Sequence, residues 1–155
     1  MTFRKATTED INAIDKLFYE LETHAIDLHP NIFQRGIRSD EYLAGIINDE
    51  TSDILLAVID GDVIGFSVIF ERAAPDISAF VPRKHAFIQD FVVTKKYRNK
   101  GIGAALMEQS KLWARERGLD SLRLSVLAGN TDGRRFYENQ GLSEYLVTME
   151  CSLHD

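Results

Sequence analysis

The residues of this chain whose types and spacing could do chemistry are concentrated in Arg98-Asn99-Lys100-Gly101-Ile102-Gly103. Glycine tolerates positive φ and carries no Cβ, so Gly101 and Gly103 would let a ligand approach the backbone closely. A helix beginning here would present N–H groups that lack intrahelical partners, at the positive end of its dipole. Such a terminus is a ready anion site. Lys95, Lys96, Arg98 and Lys100 crowd the same turn, in a chain whose formal net charge is −6. The chemistry indicated is the binding of a phosphate-bearing ligand. Two familiar phosphate loops are excluded by spacing: G-x-G-x-x-G would need glycine where Leu106 stands, and G-x-x-x-x-G-K-[ST] is absent from the sequence.

Two elements must position this run. Upstream, Ala86-Phe87-Ile88-Gln89-Asp90-Phe91-Val92-Val93 is apolar and β-branched enough for a buried strand. Downstream, Ile102, Ala105, Leu106, Leu112 and Trp113 are expected to share a helical face, and Gly118 closes that helix. The glycines therefore fall on a strand-to-helix turn.

The remaining elements follow in order. Residues 2–6 read as a first strand, and Thr7 or Thr8 caps a helix with Ile11, Ile14, Leu17, Phe18 and Leu21 as its core stripe. Pro30 ends that element, and Ser39 caps a second helix carrying Tyr42, Leu43, Ile46 and Ile47. Residues 53–59 and 63–71 form an antiparallel hairpin about Asp60-Gly61. A loop at 73–83 with Pro75 and Pro82 leads into the strand at 85–93. Residues 122–127 are expected as a strand buried on both faces. Residues 143–153 alternate Tyr145, Val147, Met149 and Cys151 as a closing strand, in which Cys151 is a small core or interface residue.

Bulk properties bound the answer. A length of 155 residues predicts one domain, 1–155, large enough to bury a core. Apolar content of 45% and charged content of 27% are ordinary for a globular chain. A net charge of −6 argues against nucleic acid as a partner and is compatible with a cationic substrate. The single Cys151 permits no internal disulfide, which points to a cytoplasmic location. No apolar run is long enough to span a bilayer, and Met1-Thr2-Phe3-Arg4-Lys5 is not a signal peptide. No metal site is expected: His24 and His29 are not spaced as H-x-x-x-H, and no cysteine stands near them.

A second motif lies further on. Asn130-Thr131-Asp132-Gly133-Arg134-Arg135-Phe136-Tyr137-Glu138-Asn139-Gln140-Gly141-Leu142 reads as a short helix capped by Asn130 or Thr131 and closed by Gly141, with Phe136 packing inward. Arg98-x-x-Gly101-x-Gly103 after an apolar strand resembles the pyrophosphate loop of the GNAT acetyltransferase superfamily, (R/Q)-x-x-G-x-(G/A). The later motif resembles that family's second signature, N-x-x-(A/G)-x-x-F-Y-E-x-x-G-(F/L), at the expected distance. The resemblance covers essentially the whole chain and is most specific over residues 91–103 and 130–141.

The resemblance implies an α/β (α+β) fold: a mixed, mostly antiparallel sheet flanked by helices, whose parallel central strands splay to admit acetyl-CoA as cosubstrate. The backbone of Phe91, Val92 and Val93 would bond the pantetheine arm and acetyl oxygen. Amides of Asn99, Lys100, Gly101, Ile102, Gly103 and Ala104 would cradle the pyrophosphate, with charge from Arg98 and Lys100. Asn130 would contact the cofactor from across the cleft. Tyr137 would be the general acid for the departing thiolate and touch the cofactor there. The implied activity is N-acetyl transfer to a primary amine, as a homodimer or a single chain. The acceptor is a small molecule or, as the alternative, a protein lysine or N-terminus; a non-catalytic acyl-CoA-binding module is the third reading, disfavoured by Tyr137.

Departures from the pattern matter. Members acting on polyamines often carry a glutamate where this chain has Gln89, and an amide cannot take a proton. The candidates for a base are Glu20, Glu22, His24, Asp27, His29, Glu71, His85 and Asp90, and the expectation is a small cationic amine deprotonated through ordered water with no single indispensable group. Asn99 replaces a common glycine. Gly133 stands where alanine is usual and is expected to loosen its helix start.

Overall fold

The computed structural model describes residues 1–154. The chain divides into two compact units, Met1–Ser125 and Val126–Asp155, taken in turn below.

The first unit is built on a five-stranded sheet of order β1-β2-β3-β4-β5: β1 (Thr2–Lys5), β2 (Ser52–Ile59), β3 (Asp62–Ala73), β4 (Lys84–Val93) and β5 (Ser121–Leu124). β1 to β4 pair antiparallel and β4 pairs β5 parallel. Parallel neighbours need a crossover, supplied here by α3 (Ile102–Glu116). The β2–β3 turn is a two-residue hairpin in which Asp60 and Gly61 have φ of 49° and 83°. Positive φ at both central positions matches the twist of the flanking strands, and glycine meets that demand without strain.

Helices α1 (Ile11–Leu28) and α2 (Asp40–Asn48) cover one face. Ile14, Leu17 and Phe18 of α1 join Leu43 and Ile46 of α2 over Ile54, Leu56, Phe66, Val68 and Val92. The Phe18 and Phe66 ring centroids are 4.7 Å apart. Full burial of such side chains contributes about 1.5–3 kcal/mol each, and this holds α1 on the sheet. The start of α1 differs from expectation. Thr7 caps a short 3-10 turn, and the cap of α1 itself is Asp10. The Asp10 carboxylate accepts two bonds of 2.8 Å from Arg4 and one of 2.8 Å from Thr7 N–H. Ser39 caps α2 as expected, its Oγ accepting from Tyr42 N–H at 3.1 Å.

α3 covers the other face with Ile102, Leu106, Met107, Ser110, Trp113 and Ala114. Leu112, expected on the buried face, is 44% exposed. It is six residues beyond Leu106, which at 3.6 residues per turn rotates it off the stripe, and Ser110 takes the inner place. Ser110 Oγ donates to the Leu106 carbonyl and lies 3.0 Å from Ser67 Oγ of β3, so the buried hydroxyls are satisfied. Trp113 Nε1 donates to Asp53 at 2.8 Å, and Lys5 reaches the same carboxylate at 3.0 Å. No helix of the described residues is long and apolar enough to cross a membrane.

β5 is shorter than the expected 122–127 and is half-buried rather than buried on both faces. Its ladder with β4 runs only from His85–Ser121 to Ile88–Leu124, so the apolar residues beyond Leu124 gain no strand pairing with β4.

In the second unit, α4 (Thr131–Asn139) is closed by Gly141 at φ 89°. The Phe136 and Tyr137 rings meet edge to face at 5.3 Å. Neither ring is fully buried, so Phe136 is less enclosed than expected. The closing strand expected at 143–153 is not formed: residues 142–150 have no regular structure. Alternation of side chains is a local property, whereas a strand exists only through a partner's hydrogen bonds. Cys151 is exposed, against the expectation of a core position.

Candidate active site

The site begins with an irregularity in β4. Against β3, Val68 faces Asp90 and Ile69 faces Ile88, which makes Gln89 the extra residue of a β-bulge. The parallel ladder with β5 ends at Ile88, the residue before that bulge, while β4 runs on to Val93. The two strands are thus paired over four positions, and β4 continues beyond them without a parallel partner strand.

Beyond the bulge, Thr94 N–H donates to the Ile64 carbonyl at 2.8 Å. Bonded and non-bonded pairs alternate along an antiparallel ladder. Val92, opposite Phe66, therefore spends its backbone groups on β3, while those of Phe91 and Val93 turn toward the side on which β5 has ended. Of the strand residues expected to meet the pantetheine arm, Phe91 and Val93 direct their backbone groups away from β3 and Val92 directs its groups toward β3.

A 3-10 turn, Lys95–Tyr97, carries the chain to α3. Asn99 (φ 59°) and Gly101 (φ 80°) both take left-handed conformations there. Asparagine tolerates that region better than most side chains, which explains how it replaces a glycine. Gly101 is the N-cap of α3 and has no side chain to cap with. The first backbone bond into the helix is Ala105 N–H to the Gly101 carbonyl at 3.1 Å. Ile102, Gly103 and Ala104 thus present the first-turn amides that have no partner inside the helix. Lys96 and Lys100 flank Tyr97, each ammonium 5.4 Å from its ring centroid.

Arg98 also has partners within the protein. Its Nε donates to the Val93 carbonyl at 2.8 Å, and its Nη2 reaches Glu20 of α1 at 3.1 Å. The guanidinium is engaged with the protein across the turn, so its charge is partly neutralised before any phosphate arrives. Glu20 also accepts from Thr94 Oγ1 at 2.9 Å and Lys95 N–H at 2.6 Å. Sequence reasoning placed Glu20 among possible bases and missed this role, because a contact across 74 residues leaves no local signature.

The candidate proton acceptors sort themselves by their surroundings. Burial pushes the Glu22 carboxyl up, but donation from Arg38 and the Gly36 N–H (3.0 Å) outweighs it and leaves Glu22 below its ordinary value. Glu71 is paired with Lys84 at 3.2 Å and Arg117 at 3.5 Å. His85, at the far end of β4, is lowered by burial and by nearby Arg123 and Arg72. His24 and Asp27 are exposed, and His29 is half-buried. Asp90 is raised, because burial disfavours its charged form more than the Gln89 amide and Arg38 favour it. Gln89 Nε2 bridges Asp90 at 3.2 Å and the Tyr42 hydroxyl of α2 at 3.0 Å. Tyr42 was read only as an apolar helix position; no sequence signal marks that contact.

In the second unit, Asn130 Oδ1 accepts from Gly133 N–H at 3.0 Å and so serves as the cap of α4. A Cβ at Gly133 would overlap the Asn130 amide, with Oδ1 at 2.9 Å. The glycine thus makes room for the cap instead of loosening the helix. Burial pushes the Tyr137 phenol up to about 12. Among the described residues, no group of three or more His, Cys, Asp or Glu side chains could hold a metal ion.

Known proteins match this arrangement. A solved structure of a BH1408 tetramutant from Bacillus halodurans superposes with a TM-score of 0.94 at 24% identity, covering 99% of this chain and 100% of that one. The aminoglycoside N-acetyltransferase AAC(6')-Iy in complex with CoA superposes with a TM-score of 0.74 at 14% identity, over 99% and 100% of the two chains. In sequence, an uncharacterized N-acetyltransferase of Archaeoglobus fulgidus is 27% identical over 142 residues, 92% of each chain. The family model described as Acetyltransferase (GNAT) family matches residues 15–142. With a parallel ladder that stops short of the end of β4, a bare helix start and this match spanning both, the chain belongs to the GNAT family of acetyltransferases, for which acetyl-CoA is the cosubstrate.

Proposed function

We propose that this acetyltransferase moves the acetyl group of acetyl-CoA to a primary amine of a small molecule, by direct attack in a ternary complex. The observation that carries the reading is the end of the β4–β5 ladder at Ile88, with the outward-turned backbone of Phe91 and Val93 leading straight to the first-turn amides of α3. A thioester arm lying along β4 would then end its pyrophosphate at Ile102, Gly103 and Ala104, with Asn99, Lys100 and Gly101 completing the loop.

The chemistry assigns work to these groups. Attack of an amine on a thioester produces a tetrahedral oxyanion, and one fixed backbone N–H aimed at it contributes on the order of 3 kcal/mol. The attacking nitrogen must also shed a proton. Asp90 is the proposed acceptor: it sits one residue past the bulge, opposite Val68 under α1 and α2, and burial raises its basicity. Tyr137 is proposed to serve the departing sulfur. A phenol at about 12 stays protonated at physiological pH, yet full transfer to a thiolate near 8.5 is uphill by roughly 3.5 pKa units. Its role is therefore a hydrogen bond to the sulfur as charge develops, with the proton following from solvent or product.

The acidic net charge of −6 supports a cationic acceptor. The AAC(6')-Iy neighbour, an aminoglycoside N-acetyltransferase, is consistent with an amine-bearing small molecule. The reading includes one acetyltransferase domain over 1–155, a cytoplasmic setting, a homodimer as the assembly, and neither nucleic acid nor membrane as partner. Thiol release from acetyl-CoA, measured against polyamines, amino acids, aminoglycosides and lysine peptides, tests it. Turnover with a small amine is expected. Faster turnover of peptides would transfer the assignment to protein acetylation, and tight CoA binding with no release on any acceptor would leave only a binding module.

A further inference from the structure

We infer that Glu20 is a positioning residue for cofactor binding, acting from α1 through Arg98, the Thr94 hydroxyl and the Lys95 N–H; the inference rests on the reading of the Arg98–Ala104 loop as the acetyl-CoA site. Glu20 lies 74 to 78 residues away from its partners in sequence, yet its two oxygens collect three donors. Oε2 takes the Thr94 hydroxyl at 2.9 Å, and Oε1 takes Lys95 N–H at 2.6 Å and Arg98 Nη2 at 3.1 Å. These donors span the point where β4 stops and the chain turns toward α3.

The geometry gives the carboxylate two jobs. It fixes the direction in which the chain leaves β4, because Thr94 and Lys95 are the first residues after the strand. It also holds Arg98 folded back, so that Nε keeps its 2.8 Å bond to the Val93 carbonyl. Val93 is one of the strand residues turned to the open side, and α3 with its bare amides starts four residues after Arg98. One side chain on α1 therefore sets the relative placement of the strand end and the helix start. A charged acceptor taking several donors in one geometry is the stronger kind of hydrogen-bond hub, and it fits an ordering role. With these donors in place, Glu20 is not available as the proton acceptor of the reaction.

The test compares the parent with Glu20→Ala, Glu20→Gln, Arg98→Ala and the Glu20→Ala/Arg98→Ala double variant. Calorimetric titration with CoA, acetyl-CoA kinetics and thermal midpoints are measured for each. Glu20→Ala is expected to raise the Kd for CoA and the KM for acetyl-CoA tenfold or more, with kcat within threefold of the parent. Glu20→Gln keeps one acceptor oxygen but turns an NH2 group on the remaining donors, and is expected to lie between. Groups acting as a unit are non-additive, so Glu20→Ala should cost no more than threefold when Arg98 is already alanine. A Glu20→Ala Kd within threefold of the parent overturns the proposal, as does a fall in kcat and thermal midpoint with KM unchanged. If Glu20→Ala does not fold, Glu20→Gln decides, and a Kd within twofold of the parent overturns the proposal. A parent that does not bind CoA overturns instead the functional reading beneath it.

Discussion

Replacing Gly103 by valine tests the loop where its physics is simplest. Gly103 is the second residue of α3, between the amides of Ile102 and Ala104. A β-branched side chain there would stand over the first-turn N–H groups and keep an anion from them. Hydrogen bonds to charged groups contribute about 1.5–3 kcal/mol each. Shielding two of the three first-turn amides then removes roughly 3–6 kcal/mol, or two to four powers of ten in Kd. Gly118→Ala, at the far end of α3, is the matched control: its Cβ would meet nothing within 4 Å, so the only penalty is the positive φ of 68°, of order 1–2 kcal/mol for an alanine. That strain is present with and without ligand, so it should lower the thermal midpoint and leave CoA affinity within about threefold. Calorimetric titration with CoA reads both variants. If Gly103→Val bound CoA within threefold of the parent while remaining folded, the amides of α3 would not be the pyrophosphate cradle.

Tyr137→Phe should lower kcat about 10²-fold with CoA affinity unchanged, the usual size for losing one hydrogen bond to charge that develops in the transition state; an unchanged kcat would make Tyr137 a packing residue. With its phenol pushed up to about 12, Tyr137 should produce no limb in the kcat profile between pH 6 and about 10. Asp90→Asn should remove the acidic limb of kcat/KM, a limb set above the ordinary carboxylate value of 3.8 because burial raises this group. A profile that keeps the limb in Asp90→Asn would return the proton to a water chain. Asp10 is held below its ordinary value, first by donation from Arg4, so its folded pKa lies under its unfolded one. Its contribution is therefore present above about pH 4 and lost as the pH falls through the lowered value, and urea midpoints of the parent and Asp10→Asn should converge in that acid range.

The sequence was most informative where function and local geometry coincide. Gly101 at φ 80° is what a strand-to-helix turn with a bare helix start requires, and the glycine spacing announced it. The hairpin at Asp60-Gly61 and the cap at Ser39 were legible for the same reason: each is decided by a few adjacent residues. What escaped was set by contacts distant in sequence. Nothing local shows that Glu20 receives Lys95 N–H, or that Gln89 reaches Tyr42 across 47 residues. Residues 143–153 erred the other way, with a local alternation but no ladder.

The bulge at Gln89 explains why the missing glutamate need not leave the site without a carboxylate. On β3, Ser67 faces α3, since its hydroxyl meets Ser110 there, and Val68 belongs to the core under α1 and α2. Ile69 is two residues from Ser67 and so shares the α3 face. Ile88 is opposite Ile69, whereas Asp90 is opposite Val68. Residues two apart on a strand normally face the same way, yet Ile88 and Asp90 lie on opposite faces. The extra residue at Gln89 causes this inversion, because inserting one residue exchanges the faces of everything after it. Asp90 is thereby carried to the side of Tyr42, Arg38 and Glu22, at the point where β5 has ended. The bulge thus delivers a carboxylate to the end of the parallel ladder, and Gln89, bonded to both Tyr42 and Asp90, holds it there. A second consequence is that deleting Gln89 should act differently from substituting it. Gln89→Ala removes the bridge and leaves the faces as they are, so kcat should fall modestly. Deleting Gln89 would leave Ile88 opposite Ile69 and Asp90 opposite Val68 as neighbours in an unbroken ladder, so each keeps its face while the bridge and the bulge are both lost, and kcat should fall further than in Gln89→Ala with the thermal midpoint maintained.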